Sequence, residues 1–372
     1  MMTEASALMA TQSPTGNLLS VVIPTCGRVP LFDETISHIR SQSNTQFEVI
    51  VSDDSPRETD REHIRRAVSG LCELGISASY VFSKAGLGQA RNTNQGLNKA
   101  RGDYLRVLHS DDIIAPQTIE VEQDLLTDSK LNIEMLAHDI VPFRETVSWN
   151  RQPDLSLYAP EWYFAKHLHS GTVIPSALVF SKRLFLAAGP LREDLSFLCD
   201  WEFFFRLLET LRASGQLFGH LTSGLVGWRC HEDSTTGQLW DKHFLEHEWF
   251  MGQLRKRKRE DPEFAILTEQ FNFFHEATGY RYRRLTQDFR QQGRVQRLLS
   301  TPKFLRCFLS PRSLADRRRD RVPFEGKWNI LGRAKKVLRL GRYCERAVRM
   351  VRKSLVRRLR GQGPLPRESE PE

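Results

Sequence analysis

The residues best suited to chemistry are acidic and sit at two places: Asp53-Asp54 and Asp111-Asp112. In "YLRVLHSDDIIAP" a short apolar strand, Tyr104 to Leu108, ends at His109-Ser110, and two adjacent carboxylates follow. Neighbouring carboxylates repel, so they either face water as an ordinary turn or share a positive charge. A second pair, in "FEVIVSDDS", ends another apolar run, and two such pairs favour a site over two unrelated turns. Clustered carboxylates suit a hard divalent cation, and too few His and Cys converge with them for a zinc site. Mg2+ or Mn2+ held by one or two acids completes its shell with water and phosphate oxygens. The chemistry so indicated is diphosphate binding.

The elements that must position these acids alternate in type. "LLSVVIPT" is a near-continuous apolar run, the pattern of a strand buried on both faces. "LFDETISHIRSQS" has roughly helical spacing, "FEVIVSDDS" is a second strand, and "DREHIRRAVSGLCELG" is a helix leaving at Gly75. "SASYVFS" is a third strand, "LGQARNTNQGLNKARG" a third helix and "DYLRVLH" a fourth strand. Such alternation builds an α/β fold with a mostly parallel sheet and helices on both faces. Ligands on these sheets bind outside the carboxyl ends of the strands. Thr25, Asp53-Asp54 and Asp111-Asp112 would converge there from distant parts of the chain.

At 372 residues the chain is long enough for one large domain with an extension. It has no apolar run approaching the roughly 18 residues of a membrane-spanning helix. The opening "MMTEASALMATQSPTGN" reads as a disordered lead-in and not as a signal peptide. Six scattered cysteines without a CxxC pair argue against zinc and against a disulfide framework, and suit a reducing cytoplasm. The net charge of +9 is uneven. Pro311 to Arg360 carries eighteen Lys/Arg against four acids, a local +14, and the rest carries −5. A near-neutral body with a basic extension points to an anionic partner for the extension.

"SVVIPTCGR", "FEVIVSDDS", "GLGQARNTNQGLNKARGDYLRVLHSDD" and "CDWEFFFRL", in this order, resemble the family 2 glycosyltransferases and their nucleotide-sugar-binding fold, GT-A. The likeness runs from about Leu18 to Thr236. It implies inverting transfer of a sugar from a nucleotide-diphosphate donor. It also implies a donor site made by Pro24, Thr25, Arg28, Asp53, Asp54, Arg91, Ser110 and Asp111, with Asp54 accepting from the base. Asp111 and Asp112 fall in the family's metal-binding element, for Mn2+ or Mg2+, and either could be the inner ligand. His109 stands where that element often begins with Asp. "GWRCHEDSTT" resembles a late aromatic-Arg-x-His element, which makes Arg229 and His231 candidates near the diphosphate and His231 a third metal ligand. A lone His is equally an ordinary surface or core residue. Asp200 falls where the family places its catalytic base, and Cys199 replaces the Glu that usually precedes it. Asp200 opens a helical pattern, so helix capping is the competing role for it. Glu202 is expected to support Asp200 or to touch the acceptor. "LHSGTVIPS", Leu168 to Ser176, is expected on the acceptor side.

The organisation expected is a lead-in over 1–16, a GT-A domain over 17–240, a helical linker over 241–310, a basic amphipathic region over 311–360 and a disordered end over 361–372. Within the domain, 17–115 would be the nucleotide-binding half and 116–240 the acceptor-side half. In the basic region Ile330, Ala334, Val337, Cys344, Val348, Val351 and Leu355 form one helical stripe among Arg and Lys. That pattern suits an anionic membrane interface. Nucleic acid is a weaker partner, because no reading module accompanies the charge and the apolar stripe would have no use there. The function expected is metal-dependent sugar transfer to a lipid-linked or cell-surface glycan precursor, peripheral at the cytoplasmic membrane face. The competing function is a membrane-associated binding protein that keeps the fold without the chemistry, for which His109 and Cys199 are the sequence support.

Overall fold

The computed structural model describes residues 19–149, 153–161, 174–231, 234 and 240–270. All of these lie in the first of two compact units, residues 1–313. The lead-in, Leu168 to Val173 of the acceptor-side loop, the linker beyond 270 and the whole basic region lie outside the described residues.

Four parallel strands carry the first half. They are β1 (Leu19–Thr25), β2 (Phe47–Asp53), β3 (Ser77–Phe82) and β4 (Tyr104–Val107). Helices α1 (Val29–Arg40), α2 (Glu58–Glu73) and α3 (Gln89–Leu97) connect them. Every residue of β1 and β2 is buried, whereas β3, at the sheet edge, leaves Ser77, Ser79 and Phe82 exposed. That difference is why the first two read as continuous apolar runs. The register sets Thr25 opposite Asp53 and Val22 opposite Val107, so β1 and β2 finish together and β4 ends three residues earlier, level with Val22. Gly96 lets α3 lie against this sheet, since a Cβ there would meet Val22 Cγ1 at 2.4 Å.

The second half is mixed in direction. It contains β5 (Ile113–Ile114), α4 (Thr118–Thr127), β6 (Met135–Phe143) and β7 (Leu155–Tyr158). A 3-10 turn (Pro175–Ala177) then leads into β8 (Leu178–Ser181) and α5 (Lys182–Ala188). After these come α6 (Cys199–Ala213) and β9 (Phe218–Arg229). The sheet order is β3-β2-β1-β4-β8-β6-β9-β5, with β7 on β9. β8 runs antiparallel to β4 and β6, and β5 and β7 run antiparallel to β9. The α/β expectation therefore holds, with the parallel character concentrated in β1 to β4.

The stretch read as a helical linker is helical as far as it is described, in α7 (Trp240–Glu260) and α8 (Pro262–Gln270). It is not free of the body. Phe250, Met251, Leu254 and Phe264 are buried in one cluster with Phe203, Phe204 and Phe205 of α6. The Phe205 ring meets Phe250 edge-on at 5.5 Å. The aromatic run after Asp200 is thus core.

Candidate active site

A cavity of about 400 Å³ opens at the carboxyl ends of β1 and β4. Of the residues expected to hold the donor, Pro24, Thr25, Arg28, Asp54, Arg91, Ser110 and Asp111 all line it. Asp53 is the exception. Its Oδ1 accepts from the Ser55 amide at 2.8 Å and from the Ser55 hydroxyl, and its Oδ2 accepts from Tyr80 at 2.9 Å. In a β-strand successive side chains alternate faces, but the two acids here straddle the strand end. Asp53 fastens the turn from beneath and Asp54 meets the cavity.

Asp54 is held open to the cavity by backbone contacts. Its Oδ2 accepts from the Gly88 amide at 2.9 Å, and its own amide bonds the Thr25 carbonyl at 3.1 Å. Gly88 has φ 82°, a conformation glycine adopts without a Cβ penalty. The Asn92 side chain donates from Nδ2 to the Thr25 carbonyl at 3.0 Å, tying α3 to the end of β1. The Thr25 hydroxyl is buried with no protein partner. A buried hydroxyl normally finds one, so this one is a ready contact for a polar ligand. Burial, and then the Asp54 charge, push the neighbouring Cys26 thiol up to about 11.

His109 and Asp111 also line the cavity, and one ligating atom each from His109, Asp111 and Asp112 lie within 4.8 Å of one another. Sequence reasoning expected His231 beside the two acids, and the geometry groups His109 with them. His231 is close, its Nε2 3.1 Å from Asp111 Oδ2, and Arg28 donates to the same oxygen at 3.0 Å. Arg28 adopts φ 27°, in the left-handed region that side chains avoid. This strain sits where the chain turns from β1 into α1 and the guanidinium reaches Asp111. Burial works to raise the Asp111 pKa, but His109, Arg28 and His231 outweigh it and hold the carboxyl below its ordinary value. Burial lowers the pKa of His109, which favours the neutral imidazole a metal needs. An ionised carboxylate and a neutral imidazole lining one cavity fit a divalent cation of the Mn2+ class.

Asp112 is placed differently from Asp111. It is 2% exposed, and every polar group it has is bonded inside the protein. Its amide meets the His109 carbonyl at 3.0 Å, and its carbonyl accepts from Thr35 at 2.8 Å. Its Oδ1 accepts from the Arg229 amide at 3.0 Å and its Oδ2 from Ser176 at 2.6 Å. Burial, and then the charge of Asp111, raise its pKa. Asp111 lines the cavity and Asp112 anchors the turn. Arg229 braces the same turn: its side chain bonds the Asp111 carbonyl at 3.0 Å and lies over the Phe143 ring at 4.5 Å.

Asp200 lines a smaller recess that shares Gln89 and His109 with the cavity. The recess walls are mainly apolar, with Leu178, Phe180, Phe203 and Phe204 among them. Burial pushes the Asp200 carboxyl up to about 6, against the opposing effect of the Trp201 amide at 2.8 Å. It does not cap its helix, because Leu198 holds the N-cap position and the carboxylate lies in the first turn. Glu202 turns away from this recess. Both its oxygens are 2.9 Å from Arg206 nitrogens, so it serves the helix and not an acceptor.

Two supports escaped the sequence reading. Glu246 of α7 accepts from three successive amides, those of Ser196, Phe197 and Leu198, at 2.7 to 2.8 Å. It thereby fixes both the cavity wall at Leu195-Ser196 and the entry to the helix bearing Asp200. A single Glu in a helix gives no sequence signal of this. Arg106 is fully buried and pairs with the equally buried Glu122. This one did carry a signal: an Arg inside "YLRVL" demands a buried acid.

Residues 20–186 match the family described as Glycosyl transferase family 2. An uncharacterized protein of Sinorhizobium fredii is 28% identical over 225 residues, 58% of this chain and 22% of the relative. An uncharacterized glycosyltransferase of Rickettsia bellii is 32% identical over 122 residues, 32% of this chain and 17% of the relative. The chain thus spans about a fifth of the length of each of these two relatives. The crystal structure of S. aureus TarS shares the fold, with a TM-score of 0.50 at 17% identity over 70% of this chain and 43% of TarS. The segment from residue 20 to 186, which carries the acidic turn and most of the cavity lining, is the part of the chain that is similar to the glycosyltransferase family 2.

Proposed function

We propose that the protein transfers a sugar, with inversion, from a nucleotide-diphosphate donor to a glycan or lipid-linked acceptor. The observation that carries this reading is one cavity lined by Asp54, Thr25 with its partnerless hydroxyl, His109 and Asp111, with Asp200 in the recess beside it. In this reading Asp54 accepts from the base, and Arg91 exchanges its pairing with Glu193, now 2.9 Å, for a donor phosphate. His109 and Asp111 would hold a divalent cation, Mn2+ or Mg2+, with Asp112 and Arg229 fixing the turn. When bound, such a cation neutralises charge that grows on a leaving diphosphate. Asp200 takes the proton from the attacking acceptor hydroxyl, on the side of the sugar away from the leaving group.

Calorimetry with UDP- and GDP-sugars, with and without Mn2+, tests the donor assignment. Metal-dependent binding with slow donor hydrolysis, followed by mass spectrometry, supports it. Absence of binding in the whole panel favours a non-catalytic protein of the same fold.

Attachment to the cytoplasmic face of a membrane is part of the same proposal. No helix among the described residues is long and apolar enough to cross a membrane. The local +14 and the apolar stripe from Ile330 to Leu355 support peripheral binding instead. Co-sedimentation of the full chain and of a chain ending before Arg321 with anionic and neutral liposomes decides this. Equal pelleting of the two, or no preference for anionic lipid, removes the membrane from the proposal.

A further inference from the structure

Three fully buried ionisable groups have no part in the chemistry above. Glu122 of α4 is paired with Arg106 of β4, and its Oε1 lies 2.7 Å from His138 Nε2 of β6. All three side chains have no exposed surface. A buried ion pair is costly to assemble and is weak evidence of stabilisation by itself. What this pair does hold is specific. The other arm of Arg106 donates to the Ser176 carbonyl at 2.5 Å. Ser176, itself without exposed surface, then uses its hydroxyl twice. It accepts from the His109 amide at 3.0 Å and donates to Asp112 Oδ2 at 2.6 Å.

The topology explains why Ser176 reaches the turn. β8 runs antiparallel to β4, so the residues just before β8 lie beside the residues just after β4. Ser176 therefore touches the turn at both ends of its acidic stretch, 67 residues from His109 and 64 from Asp112 in sequence. The opposite side of the turn is fixed from β9 by Arg229 and from α1 by Thr35. Ser176 is the contact on this turn that also couples to the buried charges.

We propose that Ser176 is a positioning residue for cation binding, locking the His109-to-Asp112 turn in the conformation that places the His109 ring and the Asp111 carboxylate together, and that the Arg106–Glu122–His138 cluster exists to hold Ser176. This rests on the reading of His109 and Asp111 as cation ligands. Ser176 would touch neither cation nor substrate. Groups that orient metal ligands in this way typically change metal affinity by roughly 10–100-fold when removed.

The test is Mn2+ binding to the full chain without nucleotide, by electron paramagnetic resonance, with a melting curve for each protein. Ser176→Ala should weaken Mn2+ binding roughly 10–100-fold while the protein still melts cooperatively. Ser176→Thr keeps the hydroxyl and should bind within about threefold of the unaltered protein. In an Asp112→Asn background, Ser176→Ala should cost much less than it does alone, because the two act as one unit. Equal Mn2+ affinity in Ser176→Ala and the unaltered protein overturns the positioning role and leaves the cation site standing. So does equal loss in the Ala and Thr variants, or additive losses with Asp112→Asn. No Mn2+ binding by the unaltered protein overturns the cation site itself, and the positioning role with it.

Discussion

The two halves of this domain build their share of the site by different means. On the side proposed to bind the donor, β1 to β4 are parallel, so the ends of β1 and β2 and the turn that follows β4 come to the same edge of the sheet. The contacts that finish the job are largely main-chain, as between Asp54 and the amide of Gly88. On the side proposed to face the acceptor, contacts of single side chains reach across long stretches of sequence to fix loops: Ser176 to the acidic turn, Glu246 to the entry of α6, Asp112 to the amide of Arg229. A register shared by several strands resists any one substitution. A loop held by one carboxylate or one hydroxyl does not. The donor half should therefore tolerate side-chain changes at its supports better than the acceptor half.

The sharpest separation of the halves is Asp200→Asn. The amide cannot accept the acceptor's proton, so transfer should fall by roughly 10²–10⁴-fold. Donor affinity, measured by calorimetry, should stay within a few-fold, because Asp200 lies in the recess and not in the cavity. If donor binding falls instead, the recess and cavity are one site and the division between halves is wrong. Next in size is Glu122→Gln, which leaves the buried Arg106 guanidinium without its ion partner. Removing one partner of a buried pair costs about 3–5 kcal/mol, read as a lower urea midpoint at unchanged slope. A loss below about 1 kcal/mol would mean that the pair is solvated. Smaller again is Glu246→Ala. Three amides lose a charged acceptor, and a loss of about 1.5–3 kcal/mol is the scale of one hydrogen bond to a charged group. Here kcat should fall more than donor affinity, since Leu198 leads directly into the helix of Asp200.

The same contrast decides what was legible in the sequence. The donor half could be read because each element announces itself locally, as "LLSVVIPT" and "FEVIVSDDS" do, and because parallel strands put their ends together by rule. Asp53 was misplaced there because sequence shows two acids at a strand end but not which of them the turn consumes. His109 was noticed only as a departure from Asp; its pairing with Asp111 depends on the turn that Asp112 anchors. The acceptor half gave Asp200 through a motif, yet hid everything around it. Ser176 and Glu246 are ordinary residue types, and their roles exist only through contacts made across 48 to 67 residues. The burial of α7 was equally obscure, because its basic face reads as solvent-exposed while Phe250, Met251 and Leu254 face inward.

The smallest effect is also the one that tests the electrostatics of the acceptor half without a mutation. Asp200 has its pKa pushed up to about 6, burial being the main cause. A general base works only when ionised, so kcat/KM should rise with pH through about 6 and level off above it. For a single group of that pKa the rate at pH 5 should be about a tenth of the rate at pH 7. An exposed aspartate, with an ordinary pKa near 3.9, would leave those two rates within about a tenth of each other. The sign of the stability effect is opposite. A carboxyl whose pKa is raised on folding binds its proton more tightly in the folded chain, so this group favours folding more as pH falls from 7 toward 4. Loss of rate between pH 7 and 5 should therefore come without a loss of folded protein attributable to Asp200. The measurement is a pH profile of kcat/KM at fixed ionic strength and saturating Mn2+, with melting curves at each pH. A flat profile down to pH 5 would place Asp200 in water and out of the apolar recess, and would remove the electrostatic basis for its role.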